Sequence, residues 1–351
     1  MNEFFLESDI EEITSRLRKE VKNFSGKKVL LTGARGFLGR YFIEVFKKLN
    51  ELCLSPHVKV IALDNLITSS NVDLKVTNED VEFIEHDVTK PLQINDHVHY
   101  LIHTAGIASP HYYKHYPLET LDVSISGTKN MLEIAKQNDA RFIFFSSSEI
   151  YGDPDENHLP TSEDYRGNVS TQGPRSCYDE GKRVGETLCY IYHQYFRVKT
   201  TIVRPFNIFG PGMEEKDFRV LPNFASRIKS KKVLNIYGSG NQTRTFCYIT
   251  DAMTGLFKVL LNGIPGEVYN IGNPTPEITM KDLVNRISTV LGKDVHYNVI
   301  EYPSNYPSNE PNRRCPSIQK AKTYLGFEPI VELNEGLRRF LYWTEQNYTG
   351  T

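Results

Sequence analysis

Tyr178 and Lys182 stand four residues apart in Tyr178-Asp179-Glu180-Gly181-Lys182, so they share one face if the segment is helical. A phenol titrates near ~10 in water and is a poor base at neutral pH. An ammonium beside it stabilises the phenolate, and the pair can then take a proton from an alcohol. Upstream, an apolar run from Arg141 ends in Ser146-Ser147-Ser148-Glu149. A serine hydroxyl there could hold the reacting alcohol, and Glu149 could act as acid or base. The same residues also fit an exposed helical pair and a polar strand-to-loop turn, so neither motif is decisive alone.

An alcohol that loses its proton to a base can lose a hydride only if an acceptor is present. Gly33-Ala34-Arg35-Gly36-Phe37-Leu38-Gly39 follows the first apolar run, with the spacing GxxGxxG. A glycine-rich turn between a strand and a helix lets the backbone approach a pyrophosphate at the helix N-terminus. The second apolar run ends in Asp64-Asn65, where a carboxylate can accept hydrogen bonds from an adenosine ribose. It would repel a 2′-phosphate, which favours NAD over NADP, although Arg35 could pair with such a phosphate. Gly33, Gly36, Gly39, Asp64 and Asn65 are therefore candidate NAD contacts, and a positive nicotinamide ring would further lower the Tyr178 pKa. Asp64 could otherwise be a turn or cap residue.

These residues need a frame. Lys28–Thr32, Val58–Leu63, Val81–Glu85, His99–Thr104 and Arg141–Ser146 are predicted strands, with helices over 37–50 and 117–137 between them. A helix near 178–196 and a strand near Thr200–Arg204 continue the pattern. Near-continuous apolar runs belong to strands buried on both faces, so the fold expected is α/β, a Rossmann-type doubly wound parallel sheet. Residues 8–23 are predicted to form an amphipathic helix. Ser8 with Glu11 makes a capping box, and Ile10, Ile13, Leu17 and Val21 recur at helical spacing. That helix could pack on its own domain or serve as a partner-binding arm. Beyond Pro205, Pro, Gly and Asn become frequent, and shorter helices are expected near 250–262, 279–291 and 332–347. The division expected is an N-terminal helical extension over 1–25, a cofactor domain over 26–205, and a smaller α/β lobe over 206–351 with some chain crossing back. The site should lie in the cleft between the last two.

Composition narrows the class. The net charge of −2 gives no electrostatic footprint for nucleic acid. The five cysteines are scattered without a CxxC pair, which argues against a zinc site or a disulfide scaffold and suits a reducing compartment. No metal site is expected. There is no signal peptide in the first residues and no apolar run of the ~20 residues a bilayer span needs, so a cytoplasmic location away from membranes is expected.

Taken together, the motifs resemble the extended short-chain dehydrogenase/reductases that act on nucleotide sugars, most closely their UDP-glucuronate decarboxylase (UDP-xylose synthase) branch. The resemblance covers about residues 27–345 and is densest in Gly173-Pro174-Arg175-Ser176-Cys177-Tyr178-Asp179-Glu180-Gly181-Lys182-Arg183. Ser148 to Pro154, Phe206 to Pro211, Tyr237 to Arg244 and Arg313 to Ile318 also look like that family's motifs. It implies a cycle with NAD regenerated. Tyr178, helped by Lys182, would deprotonate the sugar 4-hydroxyl, and oxidation at C4 would make the acid a β-keto acid that loses carbon dioxide. Reprotonation at C5 and return of the hydride would give UDP-xylose. Catalytic roles are implied for Ser147, Ser148, Glu149 and Arg314, with Glu149 on the C5 side and Arg314 near the carboxylate. Cofactor contacts are implied at Phe37, Leu38, Asp87, Val88, Thr104 and Ala105, besides Tyr178 and Lys182. Substrate contacts are implied at Tyr113, Asn207, Val220, Tyr237, Gln242 and Arg244. Arginine's fork suits phosphate, although Asn207 could be a turn residue and Arg313 and Arg314 could pair with Glu310 at the surface. The resemblance also implies a homodimer through the helices near 117–137 and 178–196, where Tyr190, Ile191, Tyr192 and Tyr195 would suit an interface, although packing in a buried core explains them equally well.

Neighbouring chemistries leave alternatives. A 4,6-dehydratase of this family carries an Asp immediately before the glutamate, where this chain has Ser148, and a 4-epimerase has a small residue at the position of Glu149. A protein that binds the dinucleotide without turnover would need none of Tyr178, Lys182, Glu149 and Arg314. The chain departs from the decarboxylase pattern at Gly106 and Ile107, at Glu119, at Ser124, and at Ser69-Ser70 in the loop after Asp64.

Overall fold

The structure, a computed structural model, describes residues 4–18, 20–69, 79–217, 219–302 and 311–350. Ser70 and Glu310 lie outside the described residues.

Six apolar runs form parallel strands: β1 (Lys28–Thr32), β2 (Lys59–Asp64), β3 (Val81–Glu85), β4 (Tyr100–His103), β5 (Arg141–Phe145) and β6 (Lys199–Pro205). A seventh strand, Val268–Ile271, joins the outer side of β6, so the sheet runs Val268–Ile271, β6, β5, β4, β1, β2, β3. Both faces are covered, and the two-residue period of a strand divides the side chains between them. Val29, Leu31, Val60 and Ala62 enter the larger core on one face, while Leu30, Ile61 and Leu63 enter the core on the other. β1 lies between β4 and β2, so the strand order reverses there and opens a crevice at the strands' carboxyl ends.

Three features of the chain complete this plan, the first two departing from the sequence expectation. The N-terminal helix α1 spans Glu7–Leu17, followed by a separate 3-10 turn at Val21–Phe24, and Leu6 is its N-cap with no side-chain hydrogen bond. Ser8 therefore stands inside the first turn, and the expected capping box does not form. The arm packs on its own chain: Ile10, Ile13 and Leu17 are buried, Arg16 pairs with Asp251 at 2.6 Å, and Tyr248 donates to Asp9 at 2.6 Å. The helix expected over 117–137 is interrupted by a π turn at Val123–Gly127 between Pro117–Asp122 and Thr128–Gln137. Such turns often occur at functional sites. Finally, the chain after 205 re-enters the sheet through Val268–Ile271, and Ile249–Asn262, buried almost throughout, packs against β5 and β6.

The remaining chain builds small sheets over the crevice. Leu234–Tyr237 pairs with Tyr297–Ile300, and Thr243–Arg244 lies between Ile278–Thr279 and Arg313–Arg314, with Arg314 opposite Arg244. Along the helix Ser176–Phe196, Tyr190 and Tyr195 are 60% and 71% exposed, whereas Tyr192 is buried with its hydroxyl bonded to Glu133. Tyr192 is thus a core residue rather than surface for a partner. All five cysteines are free thiols. Among the described residues no helix is long and apolar enough to cross a membrane, and no cluster of metal-ligating side chains forms.

Candidate active site

Two cavities meet over the crevice, sharing Ala108, Met213 and Arg219 in their walls. The larger, about 950 Å³, lies over the glycine turn and the ends of β2 and β4. Gly33, Gly36, Phe37, Asp64, Asn65, Asp87, Val88, Thr104 and Ala105 all line it. Gly33 adopts φ +66°, and a Cβ there would lie 2.7 Å from the Ala105 nitrogen. A Cβ on Gly39 would fall 2.2 Å from the Gly33 carbonyl oxygen. Only glycine allows strand, turn and helix to approach so closely. The helix that follows, α2 (Phe37–Leu52), has Gly36 as its N-cap and no side chain capping its first turn, so backbone donors remain open to an anion. Asp64 accepts hydrogen bonds from the amides of Arg35 at 2.8 Å and Leu66 at 2.9 Å, which fixes its carboxylate beside the cavity. Ser69 adds a weak contact at 3.4 Å. The cradle, open helix end and positioned carboxylate fit a dinucleotide. The Leu38 side chain does not line the cavity and packs against the larger core. Arg35, the residue considered for a 2′-phosphate, lays its guanidinium over the Phe83 ring at 4.4 Å.

Tyr178, which lines the smaller cavity, and Lys182 are both buried on the helix that starts at Ser176. The Lys182 ammonium donates to the Phe145 carbonyl at 2.8 Å and lies 5.8 Å from the centre of the Tyr178 ring. Burial pushes it down to about 8. Gly106 makes room for it, because a Cβ there would stand 2.9 Å from Nζ. Burial pushes the Tyr178 phenol up to about 12, against the pull of a hydrogen bond with Ser147. Tyr113 stacks on Tyr178, with ring centres 5.8 Å apart. Ser124 lies in the π turn with its hydroxyl bonded back to the Thr120 carbonyl at 3.2 Å, and Glu119 lines the larger cavity.

The smaller cavity, about 180 Å³, brings together Tyr113, Glu149, Tyr178, Asn207, Val220, Tyr237, Gln242, Arg244 and Arg314. Glu149 sits in a 3-10 turn after β5, whose first amide bonds are organised by the Ser147 hydroxyl accepting from the Glu149 nitrogen. Arg314 grips both Glu149 oxygens, at 2.6 and 2.8 Å, and Arg175 bonds one of them from the start of the Ser176–Phe196 helix. Burial opposes ionisation of Glu149, but the guanidiniums of Arg175, Arg314 and Arg244 outweigh it and hold the carboxyl at about 2. Arg314 is 6% exposed, and its buried Nε has no hydrogen-bond partner among the described residues. Arg313 pairs with Glu277 at 2.7 Å. Asn207 holds φ +40° and donates to the Thr245 carbonyl at 2.8 Å, while Gln242 donates to the Tyr237 carbonyl at 2.9 Å. Tyr237 and Tyr302 place two rings 6.2 Å apart at the far end.

Ser148, the first residue of that 3-10 turn, is buried and lines neither cavity. Two residues absent from the sequence-based set belong to the site. Arg175 faces Glu149, and its place inside the Gly173–Arg183 run was the available signal. Arg219 lies between the cavities, paired with Asp217 at 2.7 Å, and nothing local in the sequence marks it.

A family model described as NAD dependent epimerase/dehydratase matches residues 29–272. UDP-glucuronic acid decarboxylase 1 of Xenopus tropicalis is 36% identical over 357 residues, covering 96% of this chain and 81% of that protein. UDP-glucuronic acid decarboxylase 6 of Arabidopsis thaliana is 40% identical over 315 residues, covering 89% and 87%. Among solved structures, a UDP-glucuronic acid 4-epimerase from Bacillus cereus in complex with NAD superposes with a TM-score of 0.75 at 27% identity, covering 92% of this chain and all of that one.

Proposed function

Because the chain belongs to the NAD dependent epimerase/dehydratase family, we propose that it decarboxylates UDP-glucuronate, with NAD as a cofactor returned to its starting state. Bound NAD supplies an acceptor for the hydride from C4, a donor for its return, and a positive ring that favours the phenolate. The protein's residues do the rest. Tyr178 takes the proton of the sugar 4-hydroxyl, and Ser147 holds that hydroxyl in line. Lys182 places an ammonium 5.8 Å from the centre of the phenol ring, where a positive charge favours the phenolate. Oxidation at C4 leaves a ketone β to the carboxylate, and carbon dioxide departs as the ketone accepts the electron pair. Arg314, with its inward buried Nε, orients the carboxylate, and Glu149 works at C5. Arg244, Gln242 and Asn207 contact the nucleotide phosphates, and Tyr237 lines the base pocket. We assign the product as UDP-xylose, the lobe after residue 205 mainly to the sugar nucleotide, and the Tyr190–Tyr195 face to a homodimer.

One observation carries the reading: half-buried Glu149 and buried Arg314, paired with each other, share a cavity with Tyr178. A 4-epimerase breaks no bond at C5 and has no use for an acid or base there. Mass spectrometry of the purified protein with UDP-glucuronate and substoichiometric NAD tests it. Loss of the mass of carbon dioxide from most of the sugar nucleotide is the expected result. A C4 epimer of unchanged mass would replace this reading with epimerisation.

A further inference from the structure

The loop from Gly210 to Asp217 contributes residues 212–217 to the wall of the larger cavity, and few of its anchors come from the sheet. Tyr41 of α2 donates to the Pro211 carbonyl at 3.0 Å, and Tyr112 donates to Glu214 at 3.2 Å. Ser226 donates to Glu215 at 2.8 Å, Ser109 to Asp217 at 3.4 Å and Arg219 to Asp217 at 2.7 Å, and further holds come from two segments remote in sequence. On one side is the N-terminal arm. The Phe4 ring lies so close to Gly212, itself at φ +90°, that a Cβ there would stand 2.5 Å from ring carbons. Phe4 also lines the cavity, and the Arg40 guanidinium stacks on it at 4.4 Å while lining the same cavity. On the other side is the segment after the helix Leu333–Asn347. Tyr348 donates to the Met213 carbonyl at 2.8 Å, and the amides of Thr349 and Gly350 donate to Glu215 at 2.8 and 2.7 Å. Trp343, Tyr348 and Thr349 line the cavity as well.

We infer that the N-terminal arm and residues 348–350 form the outer wall of the cofactor cavity, and that their hold on loop 211–217 sets how fast the dinucleotide leaves. The inference rests on the larger cavity being the NAD site. None of the holding groups touches Tyr178 or Glu149, so their effect falls on cofactor residence and not on the sugar chemistry. A cycle that takes a hydride and returns it gains from a cofactor that stays through many turnovers, because release of the reduced form would strand an oxidised sugar. Opening the wall requires these bonds to break together, since Phe4, Tyr348, Thr349 and Gly350 all hold the same short loop.

The test is the dissociation rate of the cofactor from the full-length chain. Protein loaded with NADH is mixed with excess NAD, and the decay of bound NADH fluorescence is followed for wild type, Tyr348→Phe, Glu215→Gln and Phe4→Ala. Loss of one neutral hydrogen bond corresponds to roughly a fivefold change, so Tyr348→Phe is expected to release NADH about three- to tenfold faster. Phe4→Ala combined with Tyr348→Phe should be faster still. Melting temperatures without cofactor separate this from general loosening: a wall role raises the dissociation rate even in variants whose melting is unchanged. Dissociation rates within twofold of wild type in Tyr348→Phe and Glu215→Gln overturn the inference, whatever happens to stability. If wild type holds NADH but leaves UDP-glucuronate intact, the proposed reaction fails and this inference stands.

Discussion

Glu149 and Arg314 lie 165 positions apart in sequence and meet through two parallel hydrogen bonds, guanidinium to carboxylate, inside a cavity wall. The geometry is the bidentate fork that gives arginine its preference for carboxylates. It ties the turn after β5 to the short strand Arg313–Arg314, with Arg175 as a second cation on Glu149. Under the proposed reaction, the arginine assigned to the sugar carboxylate already has an anionic partner before substrate enters.

Replacing Glu149 by Gln should cost about 1.5–3 kcal/mol of stability at neutral pH, the range for losing hydrogen bonds to a charged group. The carboxyl is held at about 2 in the fold, below its ordinary 4.5, so its stabilising contribution is complete above pH 4.5 and is lost as pH falls toward 2. Urea unfolding of both proteins at pH 7 and near pH 3.5 measures this, and the gap between them should narrow in acid. An equal gap at the two pH values contradicts the ionised pair.

Tyr178→Phe should lower turnover by about 10²–10⁴-fold, the usual contribution of a positioned acid–base group. Its NAD affinity, measured by calorimetry, should stay within a few-fold of wild type, since only a hydroxyl is removed. Undiminished turnover would assign the base elsewhere.

A methyl group at position 33 tests the cofactor cradle. Gly33→Ala puts an L side chain at φ +66° with backbone atoms of Ala105 less than 3 Å away. The turn must shift, and NAD binding should weaken by at least about tenfold as the amides at the start of α2 move. Calorimetric affinity equal to wild type would mean the turn is not the pyrophosphate site.

Deep burial of the arm predicts that Ile13→Ala destabilises the whole protein by about 2–4 kcal/mol, as for other aliphatic truncations in a packed core. A single unfolding transition shifted to lower denaturant is the expected form. A value under about 0.5 kcal/mol would show that the arm detaches easily.

Charging the exposed face of the Ser176–Phe196 helix should break the proposed dimer. Tyr190→Asp with Tyr195→Asp places two carboxylates where two exposed rings now stand. Sedimentation should then report a monomer, and an unchanged mass would move the interface to another surface.

Much of this architecture is legible in residue order. The apolar run of β1 matches the observed strand to the residue, because a central strand buried on both faces is apolar almost throughout, and the edge strand β3 also keeps its expected bounds, with Glu82 and Glu85 turned to its exposed positions. Strand Val268–Ile271 is not legible for the opposite reason. Its Asn270 is fully buried, which only makes sense once the side chain is seen bonded to Tyr151 and to the carbonyls of Thr161 and Ser317. The π turn at Val123–Gly127 is equally silent, since nothing in its composition differs from an ordinary helix interior. At the site, Tyr178, Lys182 and the glycine turn announce themselves by spacing within one element. Arg219 does not, because its partner Asp217 is local but the two cavities it lies between come together only through tertiary packing.

The outermost position of Val268–Ile271 has a consequence for synthesis. β6 is complete at Pro205, yet the strand that covers its free edge emerges from the ribosome more than sixty residues later. Until then a growing chain displays an unpaired, apolar strand of the kind that recruits neighbouring chains into aggregates. The segment in between includes Ile249–Asn262, which already packs on β5 and β6, and so offers the nascent sheet a shield before its last strand arrives. Expression of fragments ending between Pro205 and Val268 should therefore be most prone to insoluble product when they stop short of Asn262.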